Sequence, residues 1–418
     1  SPQSDGSGAN VDRGAAYVFT RSGSTWTEQT KLVGSASAGG SFFGTAVAID
    51  DGTIVVTAPR DDEDGVANSG SAYVFVGAGA TWTEQERLLA PFPQQDDAMG
   101  NDVDIDGDVV IVGARAADDG ALIDTGAAYV FTRNVDTWTA SIRFESLAQQ
   151  ESGQFGHAVA VSAGTVAVSD HLFDSGKGSV QVYTGAGAAW VLQQDLLASD
   201  GEALDFFGHA LSLRGDVLLI GAYNADIGSN NDRGAGYRFE RSGGTWQQVD
   251  KYITSDHALD DRVAFDVDFG QGNIVLGAPF EDAGAANVER AGAAYVYHLG
   301  TPTTTIQILN PIPTVFGGLL GLSAQVSGGT PTGNVEFRNG PTVLASVPVN
   351  GSGVAATTIT PNAGSYSVVA HYLGDGVHLP SNSSATAFTV AKVNTTLALG
   401  SNVASPSTYG QSVTFTAT

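Results

Sequence analysis

The sequence predicts an all-β protein: a β-propeller assembled from a repeated four-strand unit, followed by a smaller β-sandwich. Three observations carry that prediction. A glycine that opens a tyrosine-bearing strand recurs at Gly14, Gly70, Gly126, Gly178, Gly234 and Gly292, at intervals of 56, 56, 52, 56 and 58 residues. Each interval holds four strand signals, and four-stranded units repeated in series describe propeller blades. The composition agrees, with 54 glycines among 418 residues, 15% charged residues and no long stretch of helical periodicity.

The unit is clearest from Phe43 to Trp82. Phe43-Gly44 opens it, and Ala46 to Ile49 follows as a first strand. Asp50-Asp51-Gly52 is a hairpin turn. Thr53 to Val56 is a second strand, closing on Thr57-Ala58-Pro59. An acidic loop from Arg60 to Ser69 leads to the third strand, Gly70-Ser71-Ala72-Tyr73-Val74-Phe75. A Gly-rich turn then precedes the fourth strand at Thr81-Trp82.

Each landmark returns along the chain. The tyrosine is read at Tyr17, Tyr73, Tyr129, Tyr183, Tyr237 and Tyr295, and the tryptophan at Trp26, Trp82, Trp138, Trp190 and Trp246. The Phe-Gly position reads Phe43-Gly44, Met99-Gly100, Phe155-Gly156 and Phe207-Gly208, and becomes Val263-Ala264-Phe265 in the last unit. The second strand ends Thr57-Ala58-Pro59, Gly113-Ala114-Arg115, Val168-Ser169-Asp170, Gly221-Ala222-Tyr223 and Gly277-Ala278-Pro279. Within the first strands, large residues (Val47, Ile49; Val159, Val161; Leu211, Leu213) alternate with small ones (Ala46, Ala48; Ala158, Ala160; Ala210, Ser212). A sheet with one wet face would alternate apolar with polar. Large against small predicts that both faces are covered, as when blades stack side by side.

Residues 1–299 therefore read as five repeats and a partial one. The last stops at its Tyr295 strand, while the N-terminal piece brings a tyrosine and a tryptophan strand, one strand more than five blades need. Ser1-Pro2 stands 15 residues before Tyr17, much as Pro59 stands 14 before Tyr73. The expectation is a larger ring of six or seven blades whose sequence begins in mid-repeat. At residue 300 the composition shifts to Thr, Pro, Ser and Asn. Residues 300–391 carry short alternating runs at sandwich spacing: Leu322 to Val326, Asn334 to Phe337, Val343 to Val347, Val354 to Ile359, Tyr366 to Tyr372 and Ala385 to Val390. Residues 392–418 repeat the opening of that domain and stop after about two strands, so the sequence is expected to continue at that end too.

On these residues the Phe-Gly … Gly-Ala-Pro … Tyr-Val-Phe unit resembles the FG-GAP repeat, which builds the β-propeller of integrin α subunits. The Trp and Tyr-Val-Phe spacing is most similar to its bacterial members. Gly329-Thr330-Pro331-Thr332-Gly333, Asn350-Gly351-Ser352-Gly353 and Tyr372-Leu373-Gly374-Asp375 resemble bacterial Ig-like domains found in tandem on surface proteins. The resemblance implies a secreted or cell-surface bacterial protein, with a monomeric propeller head on an Ig-like stalk. Adhesion to an extracellular protein or glycan is its leading implied function.

Composition narrows the partners. The chain has no cysteine, which excludes disulfides and thiolate metal sites, and a net charge of −26, which argues against nucleic acid and anionic membranes. No run of 18 apolar residues is present, so no membrane-spanning helix is expected. Calcium is the candidate ion, since integrin-type repeats hold it in an Asp-x-Asp-x-Asp-Gly-x-x-Asp loop. The nearest match is Asp102-Val103-Asp104-Ile105-Asp106-Gly107-Asp108. The corresponding turns in the other units are short hairpins without ligands, which favours a hairpin there as well.

The loop between the second and third strands keeps its acidity from unit to unit: Asp61, Asp62, Glu63 and Asp64; Asp118, Asp119 and Asp124; Asp226, Asn230 and Asp232; Glu281, Asp282 and Glu289; with Asp5 and Asp12 in the first piece. Closely spaced carboxylates on a turn suit calcium, so Asp61, Asp62, Asp64, Asp118, Asp119, Asp124, Asp226, Asp232, Glu281 and Asp282 are the candidate ligands. The competing reading is a solvated acidic rim. A further set, Asp96 with Asp97, Asp200 with Asp205, and Asp256 with Asp261, fits turns between blades. Asp102, Asp104, Asp266 and Asp268 occupy first-strand positions where other units place Ala or Ser, which predicts that they line a wet central channel.

Enzymatic signals are weak. His157 and His209 follow the Phe-Gly pair where sister units have Thr45 and Asn101, so a structural role is expected. No nucleophile elbow, phosphate loop or His-Glu-x-x-His is present. The expectation is a non-enzymatic protein. A propeller enzyme acting on polysaccharide, marked by a carboxylate pair in the funnel beside aromatics, and a purely structural surface-layer component are the alternatives.

Overall fold

Period-two runs separated by glycine-pinned turns give antiparallel meanders, and nearly every described element is a strand. The computed structural model describes residues 12–227, 232–254, 261–270, 272–282, 290–298, 303–308, 316–328, 331–375, 378, 380–392, 398–402, 409–410 and 412–417. Asp5, Asn230, Asp256 and Glu289 lie outside the described residues. The chain divides into two units, Ser1–Gly300 with Gly376–His378, and Thr301–Asp375 with Leu379–Thr418.

The first unit opens with a two-stranded ribbon, β1 (Ala16–Ser22) and β2 (Thr25–Leu32). Four four-stranded sheets follow, each a meander in chain order: β3 (Val47–Asp50), β4 (Thr53–Ala58), β5 (Ser71–Ala78) and β6 (Thr81–Leu88); then β7 (Val103–Asp106), β8 (Val109–Ala114), β9 (Ala127–Asn134) and β10 (Thr137–Phe144). The third comprises β11 (Val159–Ser162), β12 (Thr165–Asp170), β13 (Ser179–Ala186) and β14 (Ala189–Leu196), and the fourth β15 (Ala210–Arg214), β16 (Val217–Ala222), β17 (Ala235–Ser242) and β18 (Thr245–Tyr252). The fifth has three strands, β19 (Asp266–Gly270), β20 (Asn273–Ala278) and β21 (Ala293–His298). Successive blades meet through β3, β7, β11, β15 and β19, which are therefore the innermost strands. Among the described residues no ladder joins the first ribbon to the fifth sheet.

The large-and-small alternation is the blade interface. Val103 and Ile105 of β7 pack onto Ala46, Ala48, Val55 and Val74 of the preceding blade. Leu211 and Leu213 of β15 likewise meet Ala160, Ala167 and Val182. Large side chains of one inner strand fill the space left by small ones on the next, so both faces of an interior blade are dry. At the two ends of the array this face is uncovered. Val47 and Ile49 of β3 are 59% and 67% exposed, and Val275 and Val296 at the far end 37% and 54%.

A second joint ties consecutive blades through backbone. Gly70 sits at φ +82 under the next blade, where a Cβ would lie 2.2 Å from the Met99 carbonyl oxygen. Gly178, at φ +83, stands 2.0 Å by the same measure from the Phe207 carbonyl. The residue just before that glycine supplies its carbonyl to the next blade: Met99 N–H donates to Ser69 O (3.0 Å) and Phe155 N–H to Thr125 O (3.0 Å). The recurring glycine thus marks a backbone crossing, and Phe43, Phe155 and Phe207, all fully buried, are the pegs seated behind it.

Two register assignments from sequence are corrected. Counting from the opening glycine places Gln181, 2% exposed, at the tyrosine position of the third complete blade. Tyr183 sits two residues on; it follows the strand bulge as Phe75 does, and stacks on Phe144 at 4.1 Å. The end of the second strand in that blade is Ser169-Asp170-His171. Gly156 N–H donates to Ser169 O (2.8 Å) as Gly100 N–H does to Gly113 O (2.7 Å).

The second unit is a two-layer antiparallel sandwich. One sheet orders β22 (Thr303–Ile308), β23 (Leu320–Ser327) and β26 (Val354–Ile359). The other orders β25 (Thr342–Pro348), β24 (Asn334–Asn339), β27 (Gly364–Tyr372) and β28 (Ser381–Asn382), with β29 (Thr386–Val390) on β27. Leu322, Val326, Phe337, Ala355, Ala370 and Tyr372 fill the core between them. The Asp375 carboxylate accepts from Thr332 N–H (2.8 Å), Thr332 Oγ1 (3.0 Å) and Tyr372 OH (2.8 Å), which joins two of the sequence signatures. A final hairpin pairs β30 (Leu399–Ser401) with β31 (Phe415–Ala417).

Candidate ligand-binding site

The acidic loops are closed by their own carboxylates. Asp62 Oδ1 accepts from Asn68 N–H (2.9 Å), Asp118 Oδ1 from Asp124 N–H (2.9 Å), Asp226 Oδ1 from Asp232 N–H (3.0 Å) and Asp282 Oδ1 from Arg290 N–H (2.8 Å). The four donors lie at φ 51, 52, 55 and 56, a left-handed conformation that Asn and Asp tolerate better than most residues. Two of their carbonyls face the next blade: Asn68 O accepts from Ala98 N–H (3.0 Å) and Asp124 O from Gln154 N–H (3.1 Å). Asp61 is buried and accepts from Ser71 Oγ (2.6 Å), Tyr73 OH and Arg87 (3.2 Å). Asp64 takes a left-handed turn position, Asp119 pairs through its backbone with Leu122, and Glu281 N–H donates to Ala278 O.

Calcium requires six to eight oxygens converging on one point. Among the described residues no group of three or more His, Cys, Asp or Glu side chains is arranged to hold an ion. Of the ten candidate ligands, Asp62, Asp118, Asp226 and Asp282 each use Oδ1 to accept a backbone N–H of their own loop. Asp97 and Asp205 play a related part in the connections between blades, capping Gln94 N–H and Glu202 N–H, each at 2.8 Å.

Asp102, just before β7, and Asp104 and Asp106 on it reach the neighbouring inner strand β11 and the residue that follows it. Asp102 Oδ2 accepts from Val159 N–H (2.8 Å), Asp104 Oδ2 from Val161 N–H (2.8 Å) and Asp106 Oδ2 from Ala163 N–H (2.7 Å). Inner strands of adjacent blades are too far apart for a backbone ladder, and the carboxylates bridge the gap. Burial pushes the Asp102 carboxyl up to about 7 and Asp104 up to about 6, against the lowering effect of those N–H donors. Asp266 and Asp268 hold the equivalent positions on β19, where no further blade covers them, and both are exposed.

These strands surround a cavity of about 960 Å³ that also admits Arg60, Asn101, Arg115, His157, His209 and Phe265. Repeat-equivalent positions converge at its Phe-Gly end. The residue after Phe-Gly is Thr45, Asn101, His157, His209 and Phe265 in turn, and the third residue of the Gly-Ala-Pro corner is Pro59, Arg115, His171, Tyr223 and Pro279. The rings touch. His157 lies 4.0 Å from His171 and 4.8 Å from His209, and His209 lies 4.5 Å from both Tyr223 and Phe265, centroid to centroid. Phe206 stacks on Tyr223 at 5.2 Å with 10° between planes, and Arg262 lies 5.3 Å over Tyr223.

The imidazoles are held neutral. Burial, with lesser contributions from neighbouring imidazoles and Arg115, lowers His157 to about 2 and His171 to about 3, and His209 is lowered chiefly by burial as well. His209 Nδ1–H donates to Phe265 O (3.0 Å), which leaves Nε2 as the acceptor. His157 Nδ1 and His171 Nδ1 are buried with no hydrogen-bond partner. Sequence reading noticed His157 and His209 and assigned them to structure. It missed His171, Tyr223, Arg115 and Phe265 as one group, because the blade holding His171 was set one residue out of register. The available signal was divergence: these two positions change chemistry from blade to blade while their neighbours keep it.

A series of blades linked through their inner strands and lining one cavity, followed by a sandwich, defines a modular all-β repeat protein. The FG-GAP repeat family model matches residues 26–75, 82–131 and 190–239, and the model of the bacterial Ig-like domain (group 3) matches residues 307–391. The chain carries FG-GAP repeats followed by a bacterial Ig-like domain. No curated protein matches it in sequence. Among solved structures, the Bombyx mori GH32 beta-fructofuranosidase BmSUC1 aligns with 12% identity over 83% of this chain and 85% of that one, at a TM-score of 0.33. A likeness at that level carries no argument. Among the described residues no helix is long and apolar enough to cross a membrane.

Proposed function

We propose that the chain is an extracellular or surface-displayed binding protein, its blade array a ligand-binding head and its Ig-like region a stalk, serving adhesion to a protein or glycan. What supports this is the channel mouth. Positions that repeat architecture leaves free are filled by His157, His209 and Phe265, which line a ligand-sized cavity, with His171 packed against His157 and Tyr223 against His209. Concave sites with a few convergent polar groups are where ligands bind. The test is retention of the whole chain on immobilised extracellular proteins and glycans, beside a Tyr223→Ala variant. Retention lost in the variant supports the reading. Equal retention by both moves the binding surface elsewhere, and none at all leaves the structural surface-layer role.

Calcium assistance at the acidic loops is a separate arm of the proposal. Ligands that bind only the folded state raise its stability with occupancy. A thermal midpoint raised by calcium and not by magnesium supports it, and a midpoint indifferent to calcium and chelator removes it.

One observation favours a second reading, polysaccharide hydrolysis: the Asp102 carboxyl held near 7 in the same cavity as Asp266 resembles a general acid with its partner. Against it, Asp102 and Asp104 each already accept a backbone N–H from β11. Reducing-end release from polysaccharide by the parent chain, abolished in Asp266→Asn, would establish it.

A further inference from the structure

We infer that the third complete blade holds a hard divalent cation of the calcium class between the carboxylates of Asp170 and Asp195. The site is built on β12, β13 and β14, away from the acidic-loop carboxylates and outside the lining of the central cavity. It goes beyond the binding-head reading and does not depend on it.

Strand register carries the first part. In the other units the fourth strand sets a basic residue opposite the tyrosine of the third: Lys31 opposite Tyr17, Arg87 opposite Tyr73, Arg143 opposite Tyr129 and Lys251 opposite Tyr237. In the third complete blade Asp195 of β14 stands there, opposite Gln181. The second strand changes at the same end. Asp170 of β12 lies opposite Ser179, where the other sheets place Ala58, Ala114, Ala222 and Ala278. Pairing and two-residue alternation put Asp170, Ser179, Gln181 and Asp195 on one face. This blade has lost a cation and gained two carboxylates in one place.

An unmet oxygen carries the second part. Asp170 is 1% exposed. Ser146 Oγ–H donates to its Oδ2, while Oδ1 is buried with no hydrogen-bond partner. In the first complete blade the buried Asp61 is answered by Arg87. Among the described residues neither Asp170 nor Asp195 forms an ion pair. The charge that acts on Asp170 is the like charge of Asp195. Burial, reinforced by that neighbour, pushes its carboxyl up to about 6, so at neutral pH the buried charge still has to be met.

The donor set names the ion. Asp170 Oδ1, the Asp195 carboxylate and Ser179 Oγ share the face, and all are oxygens; Gln181 Oε1 already accepts from Tyr183 OH (2.7 Å). Oxygen donors select hard cations, and two carboxylates balance a double charge. Asp195 is exposed, so an ion reaches the site from solvent and keeps water on that side. A mixture of carboxylate, hydroxyl and water suits calcium, whereas magnesium demands near-ideal octahedral geometry.

The test is calorimetric titration of calcium chloride into the whole chain, with Asp170→Ala and Asp195→Lys beside the parent. Each substitution installs a residue type that other blades carry at that position, and Asp195 is exposed, so Asp195→Lys decides should Asp170→Ala fail to fold. The expected result is one calcium fewer per chain in both variants, with no replacement by magnesium chloride. Asp62→Asn should keep that calcium, which separates this site from the acidic loops. The same stoichiometry in parent and variants overturns the inference, as does equal binding of magnesium. A parent that binds no calcium, and is less stable than both variants, overturns it as well and leaves a proton to meet the pair. None of these outcomes touches the binding head, which is judged by retention on immobilised ligands.

Discussion

At the scale of single residues, the aspartates of β7 join structure to pH. Asp102, at about 7, and Asp104, at about 6, are held by burial above the ordinary 3.8. A carboxyl whose folded value exceeds its unfolded one contributes stability that is complete below the unfolded value and is lost as pH rises through the folded one. The urea midpoint should therefore fall as pH rises from about 4 to about 7. The Asp102→Asn variant should flatten that fall, because its amide oxygen still accepts from Val159 N–H without ionising. The difference between variant and parent is the quantity to read, since self-repulsion in a chain of net charge −26 also grows with pH. A parent and variant with parallel profiles would sink the assignment. These aspartates stood out in sequence as carboxylates at Ala or Ser positions facing a channel. Their bonds to the next blade were not legible, because nothing in one strand states how far away its neighbour lies.

At the scale of elements, the joint between blades explains why acid and glycine recur together. The acidic loop closes on itself through an aspartate, delivers a left-handed residue, and then passes a glycine beneath the next Phe-Gly corner. Gly178 and Gly187 separate the two demands on that glycine. Both are left-handed, at φ +83 and +57, but a Cβ on Gly178 meets the Phe207 backbone at 2.0 Å and one on Gly187 meets nothing within 4 Å. Gly187→Ala should cost about 1 kcal/mol, the left-handed strain alone. Gly178→Ala should cost roughly 2–4 kcal/mol, because a blade must move as well. Equal losses in chemical denaturation would mean the crossing is not close-packed. The period, the four strands and the turns were readable because each rests on local chemistry. The ligand mouth was not, because it is written across blades: His157, His171, His209 and Tyr223 are separated by 14, 38 and 14 residues. One misplaced residue in a register hides them. The matched repeats also straddle blades, since residues 26–75 run from the outer strand of one unit to the third strand of the next.

At the scale of the molecule, the array behaves as a one-dimensional stack in which each blade is stabilised by its neighbours. The inner strand presents an equivalent large-residue face in each of the five sheets, and four of these faces are buried against a preceding blade. Val161 of β11 is 4% exposed, while Ile49, its equivalent on β3, is 67% exposed. The two positions have the same place in the repeat and opposite environments, so the same change reports whether a neighbour is present. Val161→Ser should lower stability by roughly 2–4 kcal/mol, through lost burial and an added hydroxyl in a dry interface. Ile49→Ser in the same chain should stay within about 0.5 kcal/mol, as exposed substitutions do. Comparable losses at both sites in urea denaturation would mean that the β3 face is covered in solution, and the stack would then have to be redrawn with a further partner against its first inner strand.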